Sequence, residues 1–197
     1  GLRYFTGDII IIQDGDLEYN PEDYKKLIKP ILEKKTKVVY GSRTLGKIKG
    51  FQIPIHYFGN IFLTLATSLL YLRKITDMET CYKMITKDVI NSLKLKAKRF
   101  EFEPEITAKI IKKGYKIIEV PITYNSWSFN EGKKITASLS SALSQKGILI
   151  KEIVVVVDNS TDITAEICKT LARKNPSVII LSKNDNQPSK SKAMLLG

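Results

Sequence analysis

Four consecutive isoleucines, Ile9 to Ile12, constrain this chain more than any other feature. Each is β-branched and stiff at χ1, so the run favours extended backbone. With no polar alternation, it reads as a strand buried on both faces, as in parallel sheets covered by helices. The chain leaves this strand through Gln13-Asp14-Gly15-Asp16-Leu17-Glu18. Asp14 and Asp16 alternate about Gly15, so their side chains point the same way, and glycine lets a polyanion approach the backbone. Hard carboxylate oxygens in this pattern suit magnesium or manganese, which combine one or two protein carboxylates with the phosphates of a substrate. The alternative is a solvated turn in which Asp14 and Asp16 bond only backbone amides.

Strand and helix signals then alternate. Pro21 to Lys34 reads as a helix opened by Asn20-Pro21, and Lys37 to Tyr40 as a strand ending at Gly41-Ser42-Arg43. Lys47 to Gln52, with Gly46 and Gly50, reads as a flexible basic loop that closes over substrate or is simply solvated. Helices are expected over His56 to Leu72, Asp88 to Leu93 and Pro104 to Lys113, the last stopped by Gly114, with a strand over Lys116 to Val120. Ser138 to Gln145 predicts a short helix and Glu152 to Val157 an apolar strand followed by the polar loop Asp158 to Asp162. Asp162 can cap a helix whose Ile163, Ile167 and Leu171 share a face, and Ser177 to Leu181 is another strand. The fold class is therefore α/β: a mostly parallel, mixed sheet with helices on both faces, binding ligands at the strands' carboxyl ends. Asp14, Asp16, Arg43 and Asp158 fall at such ends, and Glu152 to Val157 is expected to share one sheet with Asp8 to Gln13.

A chain of 197 residues suits one domain. A net charge of +12 favours a polyanionic partner: nucleic acid, anionic headgroups or a phosphorylated substrate. The basic residues are scattered and no nucleic-acid-binding motif accompanies them, so no nucleic acid partner is expected. Cys81 and Cys168 lack zinc or disulfide spacing and read as reduced thiols of a cytoplasmic protein. The apolar segment Ile61 to Leu72 is too short to span a bilayer but can lie on one, which makes membrane contact peripheral. His56 reads as a helix-start residue and Cys81 as core packing.

Several blocks together resemble family 2 glycosyltransferases, particularly the dolichyl-phosphate mannose synthase group. They are Thr6-Gly7-Asp8 with the isoleucine strand and Gln13 to Pro21; Tyr40-Gly41-Ser42-Arg43; Gly59-Asn60; Thr76-Asp77-Met78-Glu79-Thr80-Cys81-Tyr82-Lys83; Arg99 to Ile106; Glu119 to Tyr124; and Glu131 to Ile135. The resemblance implies a glycosyltransferase A-type nucleotide-binding fold. Glu152 to Asp162 is similar to the nucleotide-binding strand and loop near the start of such enzymes, yet here it lies near the end. Asn186 to Gly197 resembles the segment that in the family precedes Thr6-Gly7-Asp8, so joining Gly197 to Leu2 restores the usual order. The segments read as circularly permuted, or as the tail of one enzyme fused to the head of another, or as a chain lacking residues between segments.

Three positions depart from the family pattern. The first strand, which touches the nucleotide, is absent, and Val157 stands where many members have the first of two Asp residues. Trp127 replaces an Arg before the Glu131-Gly132-Lys133-Lys134 block, and an indole does not supply a bidentate fork. The lost strand leaves a gap that predicts pairing with another chain, a homo-oligomer.

By resemblance, Asp14, Asp16 and Glu18 hold the metal, Mg or Mn, while Asp14 and Asp158 meet the nucleotide. Arg43, with Lys47 and Lys49, meets an acceptor phosphate; a surface ion pair is the other reading of Arg43. The implied reaction is inverting transfer of a hexose from a GDP- or UDP-hexose to a polyprenyl phosphate at the membrane surface. A phosphate acceptor needs no strong base, whereas a protein or saccharide hydroxyl would need one, for which Asp77 and Glu79 are the candidates. An inactive, permuted nucleotide-binding protein is the remaining alternative. Within one domain, residues 1–135 would form the metal and acceptor part and residues 136–197 the nucleotide part.

Overall fold

The computed structural model describes residues 5–15, 18–50, 54–97, 101–126, 131–158 and 163–183. Asp16, Gln52, Trp127, Asp162 and the 186–197 segment, all singled out in the sequence, lie outside these residues. Among these residues six strands and six α-helices, with a 3-10 turn at Pro21–Asp23 before the first helix, follow in the order β1 (Ile9–Ile12), α1 (Tyr24–Leu32), β2 (Val38–Gly50), α2 (Pro54–Tyr71), β3 (Lys83–Thr86), α3 (Lys87–Ser92), α4 (Phe102–Lys112), β4 (Ile117–Ser126), α5 (Glu131–Leu143), β5 (Ile153–Asp158), α6 (Thr164–Lys174) and β6 (Val178–Lys183). The architecture is mixed α/β, as expected.

The main sheet has the order β1-β3-β2-β4. β3 runs antiparallel to both β1 and β2, and β2 runs parallel to β4, so β1, β2 and β4 share one direction. Their carboxyl ends, and the loop entering β3, therefore lie along one edge. Core residues are apolar from both sides of the sheet: Val38, Val39 and Tyr40 of β2, Ile85 of β3, Val89 and Ile90 of α3, and Ile106 and Ile110 of α4 are buried together. Asn20 opens the first helical turn by accepting from Glu22 N at 3.0 Å, one of the orphan amides a helix start must satisfy. Gly114, at φ +78°, closes α4 in the left-handed conformation that glycine adopts without strain.

Two expectations are corrected here. Lys47 to Gly50 belong to β2, where Lys47, Ile48, Lys49 and Gly50 pair with Thr123, Tyr124, Asn125 and Ser126 after an irregularity between Ser42 and Lys47. Gly46 serves close packing there, since a Cβ on it would sit 1.8 Å from Ile122 O. The glycines that suggest a mobile loop are thus what lets the strand cross its neighbour. Second, β5 does not join the main sheet: it pairs in parallel with β6 in a separate two-stranded sheet. Leu139, Val155, Val157, Cys168 and Val178 form a second, smaller core beneath it.

The segments that lead into β1 and β5 are tied together. Glu152, just before β5, accepts from the backbone N–H of Thr6, from Gly7 N at 3.4 Å and from Thr6 Oγ1 at 3.3 Å, so both strands begin at the same end. Ile153 packs against both cores. α5 spans the join, with Gln13 Nε2 donating to Ser138 Oγ at 2.8 Å and Gln145 Nε2 to Glu22 Oε1 at 3.3 Å.

Candidate active site

The exit of β1 is fixed from three sides. Gln13 Oε1 accepts from the Tyr24 hydroxyl and from the Tyr82 hydroxyl at 3.0 Å, while its amide reaches α5. Asp14 follows, half-buried, and Gly15 lies under α5, where an added Cβ would come within 2.7 Å of Ile135 Cδ1. Glu18 is tied to β4: its backbone carbonyl accepts from Asn125 N at 2.8 Å and its Oε2 from the Tyr124 hydroxyl at 2.5 Å. Among the described residues no group of three or more His, Cys, Asp or Glu gathers as a metal cage, and Asp16 is not among those residues. Asp14 and Glu18 fit a hard cation by their chemistry, as oxygen donors that follow β1 at its carboxyl end.

Arg43 sits in the irregular middle of β2. Its Nε and Nη2 donate to Asp77 Oδ2 and Oδ1, each at 2.7 Å, and its backbone N donates to Oδ2 at 2.9 Å. Asn60 Nδ2 adds a 3.3 Å contact to Oδ1. Asp77 is fully buried and Arg43 nearly so, with 15% of its side chain exposed. Burial alone would lower the guanidinium pKa; the Asp77 bonds, helped by Tyr19 and Tyr124, outweigh it and hold Arg43 charged. Below the guanidinium lies Tyr124, whose ring centroid is 5.3 Å from Arg43 Cζ. The ion pair that is the other reading of Arg43 is present, but it is buried and bidentate and not on the surface.

One tyrosine therefore links the carboxylate turn to the buried cation: Tyr124 bonds Glu18 with its hydroxyl and underlies Arg43 with its ring. Gln13 and Tyr124 lie within blocks that carry the family resemblance, but the sequence assigns neither a role, because their partners lie on distant elements. Lys83 likewise ends the Thr76 to Lys83 block with no role assigned from sequence. It is wholly buried, donates to Thr80 O and lies 5.0 Å from the Tyr40 ring centroid, and burial lowers its pKa.

The two hydroxyl-activating candidates separate. Both oxygens of Asp77 accept from Arg43, and Oδ1 also accepts from Asn60. Glu79 is half-buried, with Oε1 buried and lacking a hydrogen-bond partner among the described residues. Burial, and then the nearby Glu103 carboxylate, push its pKa up. Lys47 and Lys49 are exposed on the continuation of β2. Asp158 ends β5 opposite Lys183.

α2 presents an apolar surface next to this site. Phe58, Ile61, Phe62, Leu65, Leu69 and Leu70 are exposed, with Arg73 and Lys74 following at its end, while Asn60 of the same helix reaches Asp77. No described helix is long and apolar enough to cross a membrane.

The model of the family described as "Glycosyl transferase family 2" matches residues 1–94 and 127–197 of the chain. Among curated proteins, it is 30% identical over 133 residues to UDP-N-acetylglucosamine--dolichyl-phosphate N-acetylglucosaminyltransferase of Methanococcus voltae, covering 65% of this chain and 53% of that protein. It is 28% identical over 121 residues to the low-salt glycan biosynthesis hexosyltransferase Agl6 of Haloferax volcanii, covering 60% and 29%. The chain spans about half the length, or less, of the curated relatives it matches. Among solved structures, glucosyl-3-phosphoglycerate synthase of Mycobacterium tuberculosis, in complex with Mn2+, UDP-glucose and phosphoglyceric acid, superposes with a TM-score of 0.49 at 16% identity, over 75% of this chain and 52% of that one.

Proposed function

From the chain's membership of glycosyl transferase family 2, we propose that it transfers a hexose from a UDP- or GDP-linked donor to a polyprenyl phosphate, with inversion, at the cytoplasmic face of a membrane. One observation carries this reading: Tyr124 brings the Glu18 carboxylate and the Arg43 guanidinium against a single side chain at the carboxyl edge of the sheet. A donor phosphate site and an acceptor phosphate site would then be neighbours. The dolichyl-phosphate chemistry in the name of the M. voltae relative supports the acceptor class.

Asp14, Asp16 and Glu18 would hold the divalent cation, Mg or Mn. When bound, that cation supplies charge neutralisation for the leaving nucleoside diphosphate. Asp14 and Asp158 would meet the nucleotide. Arg43 keeps its charge in the buried pair with Asp77 and would face the acceptor phosphate, with the exposed Lys47 and Lys49 adding attraction from the same strand. An ionised phosphate oxygen attacks without a protein base, its second pKa lying near ~6 by analogy with phosphorylated side chains. The apolar face of α2, followed by Arg73 and Lys74, would rest in the headgroup layer and bring the lipid to Arg43.

The segment order is read as a permutation of the family's own. The Glu152 link between the starts of β5 and β1 supports that order, within one domain of two parts, 1–135 and 136–197. With β1 and β5 each ending a sheet, a second copy would supply the missing pairing. Glu79, with its raised pKa, favours a second reading in which a hydroxyl acceptor is deprotonated there.

Calorimetry with UDP- and GDP-hexoses, with and without manganese, tests the donor half. Manganese-dependent binding of one of them is expected, with affinity collapsing in Asp16→Ala; binding unchanged in that variant would remove the carboxylate turn from the site.

A further inference from the structure

We infer that Glu119 is the positioning residue of the acceptor site: its carboxylate holds the Thr76–Asp77 backbone so that Asp77 can present Arg43 to a phosphate monoester. The inference rests on the acceptor reading given above.

Between α2 and β3 the chain has no regular structure until Lys83, so the amides of that loop need partners from elsewhere. Glu119 supplies them from β4. Its Oε1 accepts from Thr76 N at 2.9 Å and from Asp77 N at 3.0 Å, and its Oε2 also lies 2.9 Å from Thr76 N. The other side of the loop is held by β2, through Ser42 Oγ to Thr76 Oγ1 at 2.7 Å and Thr44 Oγ1 to Thr76 O at 2.9 Å. Further along, Met78 N donates to Thr64 Oγ1 of α2 at 3.1 Å.

Glu119 takes the amides of both Thr76 and Asp77, while β2 and α2 hold the Thr76 side chain and carbonyl, the Met78 amide and the Asp77 carboxylate. The backbone of Asp77 is therefore set from β4 and its side chain from β2 and α2. Asp77 in turn sets the guanidinium plane through two 2.7 Å bonds, and this orients the remaining edge of Arg43. A carboxylate suits the task because both oxygens accept and neither donates. An amide in its place offers one acceptor and turns an N–H toward the Thr76 N–H.

Glu119 is placed in β4 opposite Tyr40 of β2, away from the carboxylate turn. Its loss should therefore weaken phosphate binding without touching the donor. The test compares the full chain with Glu119→Ala and Glu119→Gln in three measurements: solvent exchange of the Arg43 Nε–H by NMR, affinity for geranyl phosphate beside inorganic phosphate, and affinity for the manganese nucleotide. In Glu119→Ala, Arg43 Nε–H exchange should accelerate by about tenfold or more and geranyl phosphate affinity should fall by about tenfold, with Glu119→Gln recovering part of both. Nucleotide affinity should stay within about twofold of the unaltered protein.

Unchanged Arg43 exchange in Glu119→Ala would overturn the inference, as would equal losses of nucleotide and geranyl phosphate affinity. If Glu119→Ala does not fold, Glu119→Gln carries the same comparison with smaller changes. If the unaltered protein binds inorganic phosphate as well as geranyl phosphate, the ligand is the phosphate group alone. If it binds neither, the acceptor reading fails, and the Arg43 exchange rate alone decides the role of Glu119.

Discussion

The four-stranded sheet and the two-stranded sheet bury different things. Around β2 and β4 the interior accepts charge, with Asp77, Lys83 and Glu103 all buried beside an apolar core that draws on both sheet faces. Beneath β5 and β6 the described core is apolar and small, made of Leu139, Val155, Val157, Cys168 and Val178. A buried charge persists only where a dense surround fixes its partners, since desolvation alone would expel or neutralise it. The larger sheet can therefore hold a preorganised cation such as Arg43.

The largest expected effect breaks the charged half. Arg43→Ala leaves Asp77 buried without its cation and should cost about 3–5 kcal/mol in urea unfolding. Arg43→Lys keeps the charge and loses the fork, so it is the better variant for binding studies. A loss below about 1 kcal/mol in Arg43→Ala would mean that the pair is solvated after all.

Core truncations sharpen the contrast. Ile106→Ala in the large core and Leu139→Ala in the small one both fall in the range of about 2–5 kcal/mol for such changes. The first should lie near the top, because its fully buried surroundings cannot collapse, and the second near the bottom. The reverse order, read from denaturant midpoints, would mean that the two-stranded sheet is the better packed.

Native-state hydrogen exchange gives a graded version of the same comparison. Amides of β2 and β3, central in the larger sheet, should outlast those of β5 and β6, each of which has a single partner strand. Equal protection would show one cooperative unit.

The smallest effect is a pH dependence. Burial raises the carboxyl pKa of Glu119 and of Glu79 above the usual 4.5. For an acid raised in the folded state, the folded form binds more protons, so its stabilising contribution is complete below the unfolded pKa. It is lost as pH rises from about 4.5 through the folded pKa. Glu79→Gln should flatten the fall in melting temperature over that window, and an unchanged slope would place Glu79 in solvent.

Much of this was legible in the sequence. Ile9 to Ile12, the helix over Pro104 to Lys113 with its Gly114 stop, and the apolar run before Asp158 all announce their elements through β-branching, periodicity and a left-handed cap. β3 was not legible: Lys83-Met84-Ile85-Thr86 is short and begins on a lysine whose burial depends on Thr80 O and the Tyr40 ring. Nor was the extension of β2 through Lys49, because Gly46 reads locally as flexibility and only β4 shows it to be a close approach. The site divides likewise. Asp14 and Arg43 stand out by chemistry and position, while Gln13, Glu119 and Tyr124 fall in the matched blocks without a role, since their contacts join elements distant in sequence.

The most direct test of the proposed activity is transfer of radiolabelled hexose from a nucleotide sugar, in the presence of manganese, to polyprenyl phosphate in vesicles, followed by partition into organic solvent. The expected result is label in the lipid phase, dependent on metal and on Arg43. Label that passes only to water-soluble hydroxyl acceptors, or lipid labelling that is the same in Arg43→Lys and the unaltered protein, would contradict it.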